Sequence, residues 1–183
     1  MSEPSLVVPD TVTFEQAIAI SQSLLAGMEQ GSLTEPQINS VVASLVSSEN
    51  GARGFFVTYL TDERPFADQP TDAVMQALAS SPEVVSELLV KNLAMSTAMA
   101  IAHRRNENEV MAQGSDRVQR RTLRLLQLIQ LPEAAQKAQT LHESATTGIG
   151  SYQAFLDRWN YDAEQRQQIA ETVKGVVAEQ DKG

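Results

Sequence analysis

The chain has 183 residues, 20% of them charged and 42% hydrophobic, with no cysteine and a formal net charge of −9. A chain of this length buries roughly 70% of its unfolded surface, so it can build a core without covalent staples. The missing cysteine excludes disulfides, thiolate metal sites, thioether-linked bilins and cysteine nucleophiles, and the negative balance disfavours nucleic acid, whose backbone is held by many Lys and Arg contacts.

Residues 1–12 read as an extended N-terminal arm with two prolines, and Glu3 and Asp10 stand where a signal peptide carries no acids. Thr13 three residues before Gln16 predicts a capping box and a helix to about Gln30, stopped by Gly31. Thr34 with Gln37 repeats the device, and Asn50-Gly51 predicts the stop of the second helix. Residues 53–60 suit either a strand or a buried helical turn; helix is favoured, because no other segment offers a strand to pair with. Pro65 and Pro70 break the loop that follows.

A short helix near 72–79 leads to Ser81-Pro82-Glu83, a cap, a first-turn proline and a first-turn acid. The helix this opens, about 84–105, is apolar nearly all round in its middle, as expected of a helix surrounded by others. Its longest apolar run, 93–102, is short of the ~18–20 residues of a bilayer span. The polar run 106–114 either continues or breaks that helix, and Ser115 is a candidate cap for the next. Leu131-Pro132 ends or kinks it, a polar helix runs to about Thr146, a short aromatic helix follows Ser151, and Asp162 with Gln165 caps the last. The tail 181–183 is expected to fray. The expected fold is all-α, an irregular multi-helix bundle around a central apolar helix, forming a single helical domain over residues 13–180.

Charge is concentrated in one place. Arg104, Arg105, Arg117, Arg120, Arg121 and Arg124 lie in a 21-residue window with only Glu107, Glu109 and Asp116 against them, so this window carries +3 and the rest −12. At 100° per residue, Arg117, Arg120, Arg121 and Arg124 fall within roughly a 100° arc. Such a face is either neutralised by the chain's own acids or docks an acidic partner or a small anion; arginine favours planar, bidentate carboxylate or phosphate contacts. A second constellation, Asn92, Ser96, Met99 and His103, shares one side of the central helix and would line a cavity if one opens there. His103 also suits a helix end, where its positive form is favourable, and His142 is expected to be exposed.

No metal, cofactor or catalytic set emerges. The two histidines lack metal spacing. Asp62-Glu63 is followed by Arg64, which makes an ion pair the simpler account, and neither Gly51-Ala52-Arg53-Gly54 nor Gly148-Ile149-Gly150 has the context of a phosphate loop. The aromatics fall into two groups, Phe55, Phe56, Tyr59 and Phe66, then Tyr152, Phe155, Trp159 and Tyr161; both are expected to be buried, either separately or against each other.

The stretches 51–61 (GARGFFVTYLT) and 91–100 (KNLAMSTAMA) resemble segments of an uncharacterised helical protein family of cyanobacteria. The resemblance implies a bacterial cytoplasmic setting and carries no site residues. The expectation from the sequence is an interaction or regulatory module with an arginine-rich docking face for an acidic protein partner, with no membrane partner and homo-oligomerisation left open. The alternatives are a small-ligand or cofactor-binding helical protein, with or without enzymatic activity, and a nucleic-acid binder of helix-turn-helix type.

Overall fold

In the computed structural model, residues 6–180 are described, with side chains as far as 177. The first five residues of the expected arm and the expected fraying tail, 181–183, lie outside the described residues.

Side-chain caps set where most helices start. Thr13 Oγ1 accepts the Gln16 backbone N–H at 3.1 Å and Gln16 Oε1 accepts the Thr13 N–H at 2.9 Å, opening α1 (Phe14–Gln30). Thr34 and Gln37 do the same for α2 (Glu35–Val46). The segment that sequence left between strand and helix is α3 (Glu49–Thr61), capped by Ser48 through the Gly51 N–H. Asn50 and Gly51 therefore lie inside α3, and the stop predicted there is corrected: α2 ends earlier, at Val46. A 3-10 turn (Pro65–Ala67) and α4 (Asp72–Ala79), capped by Thr71, follow. The apolar helix expected near 84–105 is α5 (Pro82–Arg105).

Glu107, with φ 57°, turns the chain, and α6 (Glu109–Ile129) starts at Asn108, whose Oδ1 accepts the Met111 N–H. The polar run thus breaks the helix at residues 106–108, and Ser115 is an interior residue of α6 instead of its cap. Gln130 in the left-handed region and Pro132 separate α6 from α7 (Pro132–Thr147). The short aromatic helix is α8 (Gln153–Arg158), and the Asp162–Gln165 capping box opens α9 (Ala163–Gln180). Among the described residues the fold is all-α, nine helices with no strand.

Contacts group the chain into two compact units, residues up to Leu88 and residues from Leu89, so that α5 contributes its first turns to one and the remainder to the other. In the first unit, α1 packs on α3, and α2 on α3 and α4. The close approach of α1 and α3 depends on Gly54: a Cβ there would sit 2.4 Å from Ala17 Cβ and 2.9 Å from the Phe14 carbonyl oxygen. Phe55 and Tyr59 stack at 5.0 Å between centroids within this core, and the Tyr59 hydroxyl donates to the Phe66 carbonyl.

In the second unit, α9 packs on α7 and α6, and Leu125, Leu141, Ile169 and Val173 are fully buried. Gln165, itself buried, donates from Nε2 to the Ala98 carbonyl of α5. Tyr152 and Tyr161 are buried, whereas Trp159, expected in the core with them, is 47% exposed. Among the described residues α5 alone has the length and composition to cross a bilayer, a longer apolar window than the run 93–102 suggests; 56% of that window is buried, as in a core helix.

Candidate functional site

The arginine face is built by α6. Ala112, Thr122, Leu125 and Leu126 are buried on one side of it. On the other side Val110, Gln113, Arg117, Arg120, Arg124 and Leu128 fall within an arc of about 80°, along about 27 Å of axis. Arg120 and Arg124 are exposed, and the apolar residues at the two ends are open as well, Val110 at 81% and Leu128 at 40%. Val110, Gln113, Gly114, Asp116, Arg117 and Arg120 line a shallow groove of about 410 Å³.

The six arginines singled out from sequence do not act together. Arg104 reaches Asp116 at 2.6 Å and Glu109 at 3.1 Å, and these two acids hold its guanidinium above its ordinary pKa range. Arg105 is bound by Asp162 and by Glu164, which raise it in the same way. In return the Arg105 hydrogen bond, and then the Gln165 N–H, hold the Asp162 carboxyl below its usual value. Arg121 is buried, 2% exposed, and does not stand free.

Arg117, Arg120 and Arg124 differ from those three. Among the described residues none of them has an acid within ion-pairing distance, and the Nε of half-buried Arg117 is shielded from solvent with no hydrogen-bond acceptor. A buried donor without a partner costs about 1–3 kcal/mol, more when charged, so Arg117 has the most to gain from an anion, with exposed Arg120 and Arg124 beside it on the same arc.

The other predicted constellation is divided by its surroundings. Ser96 is buried and its hydroxyl donates back to the Asn92 and Leu93 carbonyls at 2.8 and 3.2 Å. Met99 is 41% exposed, and Asn92 and His103 are half-buried. One member faces packed protein and another faces water, so the four do not enclose one space.

Two features escape the sequence reading. Gly114 lines the α6 groove, although sequence placed it in the run before the helix; the signal available was Asn108 followed by Glu109, a cap and a first-turn acid. The second is a groove of about 560 Å³ between α7 and α9, lined in part by His142, Thr147, Arg166, Gln167, Glu171 and Lys174. His142, expected to be exposed, is half-buried and its Nδ1 lies 3.0 Å from the Ala170 carbonyl. A carbonyl only accepts, so Nδ1 carries the hydrogen.

Comparison with curated proteins finds no match, and neither does comparison with solved structures. The model of the family described as "Uncharacterised conserved protein UCP020893" matches residues 13–176, and the chain belongs to that family.

Proposed function

We propose that the chain is an interaction or regulatory module that docks an acidic protein partner on the α6 face of Arg117, Arg120 and Arg124. The observation that carries this reading is the contrast between neighbouring arginines. The chain has 23 acids against 14 basic residues and uses two acids each on Arg104 and Arg105. Among the described residues it leaves three guanidiniums on one side of one helix without any, and one of them keeps a desolvated Nε. Guanidinium–carboxylate pairing across an interface supplies orientation as well as attraction. A cytoplasmic setting in a cyanobacterium belongs to the same proposal; the buried share of α5 and the sequence resemblance favour it.

The test is capture by the immobilised full chain at low and at physiological salt, with Arg120→Glu/Arg124→Glu as comparison. Partners kept by the wild type should be acidic, diminish with salt, and be lost by the double reversal while its circular dichroism is unchanged. Identical capture by both proteins would refute the arginine face.

A second reading, small-ligand binding, is favoured by the groove between α7 and α9, where His142, Arg166 and Lys174 face one acid, Glu171. Its volume is within the ~300–1,000 Å³ of ligand sites. Thermal shift against a panel of small anions checks it; no shift across the panel would discard it.

A further inference from the structure

Gly114 has no internal reason to be glycine. It sits well inside α6, a Cβ built on it meets nothing within 4 Å, and its φ is not in the left-handed region. Glycine inside a helix carries an entropic penalty relative to alanine, and here the fold draws no close packing in exchange, unlike at Gly54. It lies on the wall of the groove that Arg117 and Arg120 also line. A bare backbone beside a row of cations suits a ligand whose own backbone comes close, as helices do where small residues face each other.

Resting on the docking reading above, we infer that the occupant of this groove is an α-helix of an acidic partner, seated against Gly114, with carboxylates on Arg117, Arg120 and Arg124. Positions 110, 113, 117, 120, 124 and 128, exposed except for half-buried Arg117, advance by three and four, the spacing at which one helix meets another along a seam. Val110 and Leu128 at the two ends give the partner helix apolar ground outside the charged middle. Charge argues against a second copy of the chain in this seat. An antiparallel pairing of two such faces would set Arg117 opposite Arg120, guanidinium against guanidinium, and Gln113 opposite Arg124, while Asp116, the acid of the groove, is already held by Arg104.

The probe is a fluorescein-labelled helical peptide of about 18 residues, matching the ~27 Å face, with alanine at its centre and glutamates at steps of three and four. Its binding to the full chain is read by anisotropy. Gly114→Leu should weaken it about tenfold or more, and a proline at the peptide's centre should do the same. Arg120→Glu/Arg124→Glu should abolish it. Gly114→Leu should melt no lower than the wild type, since its side chain enters open space; loss of binding without loss of stability is an outcome that a purely structural glycine does not give. If the charge reversal weakens binding while Gly114→Leu and the proline peptide bind as the originals do, the helix seat is wrong and the arginine docking stands. If the peptide fails to bind the wild type, or binds the reversed protein equally well, both are overturned.

Discussion

Replacing Gly54 by alanine should destabilise the chain, although alanine is the better helix former. The added Cβ would lie 2.4 Å from Ala17 Cβ, 2.9 Å from the Phe14 carbonyl oxygen and 3.0 Å from the Ile18 backbone nitrogen. Carbon atoms rest at about 3.5–4.0 Å, so α1 and α3 must part by about 1 Å. None of the three atoms can rotate aside: two are backbone and the third is itself a Cβ. Overfilling a packed site costs about 1–3 kcal/mol, and the helix gain returns about 0.5–1 kcal/mol. Because the obstruction is rigid, the cost belongs at the upper end and the net loss is about 1–2 kcal/mol. Urea unfolding followed by circular dichroism reads this as a midpoint lowered by roughly 0.5–1 M, for a slope of about 2 kcal/mol per M. Gly114→Ala is the internal standard: the same atom added where nothing lies within 4 Å should raise stability by about 0.5–1 kcal/mol. Equal or higher resistance to urea in Gly54→Ala would mean that the glycine does not serve the α1–α3 contact.

Asp162→Asn keeps an N-cap acceptor for α9 but loses the pair with Arg105. The Asp162 carboxyl is held below its ordinary value, so its contribution is full above about pH 3.9 and fades as pH falls through the lowered value; urea midpoints measured down the acid limb should decline less in the variant than in the wild type. Burial pushes the Tyr161 hydroxyl up to about 12. Its neutral form therefore supports the fold up to about pH 10, and that support is lost as pH climbs toward the folded value; Tyr161→Phe should flatten this alkaline decline, and tyrosinate absorbance should show one late-titrating group. Ser21 is buried in α1 and its Oγ has no partner, so Ser21→Ala should raise the melting temperature, by about 1 kcal/mol in stability. A lower melting temperature would mean the hydroxyl is bonded after all.

The helix starts were legible because capping is a local exchange between residues three apart, and Thr13–Gln16, Thr34–Gln37 and Asp162–Gln165 all form it. Gly51 misled for the complementary reason. The rule that glycine punctuates a helix concerns local backbone entropy, whereas the backbone at Gly51 is pressed against the Leu45 carbonyl, 2.1 Å from where a Cβ would stand. That contact belongs to the turn between two helices, and no local pattern announces it. At the start of α6 two cap-forming residues competed, Asn108 and Ser115, and the polar run between them has no apolar stripe to choose by. The arginine arc was correctly spaced, but spacing does not say which side of a helix its neighbours cover. Arg121 stands only about 40° from Arg117 around the axis, yet it is buried while Arg120 and Arg124 face water.

Arg104 and Arg105 find acids because of where they sit: at the carboxyl end of α5, where cations are favoured, and within reach of Glu109 and Glu164, acids in the first turns of α6 and α9, where carboxylates are favoured. The helix dipoles that favour those acids also commit them, Asp116 in the body of α6 is taken by Arg104, and Arg117, Arg120 and Arg124 are left without an acid among the described residues. Arg117 and Arg124 are seven residues, or about 10.5 Å, apart along the axis, comparable to the ~10 Å screening length at 0.1 M salt. Their mutual repulsion is therefore felt at low salt and largely screened near 1 M. Salt should then act in opposite directions on two measurements: added salt relieves the repulsion among these arginines, while it weakens binding of an acidic helix. In Arg120→Glu/Arg124→Glu both responses should shrink together, since one set of charges produces them. Binding that persists undiminished at about 1 M salt would assign the affinity to the apolar ends, Val110 and Leu128, and remove the arginines from the mechanism.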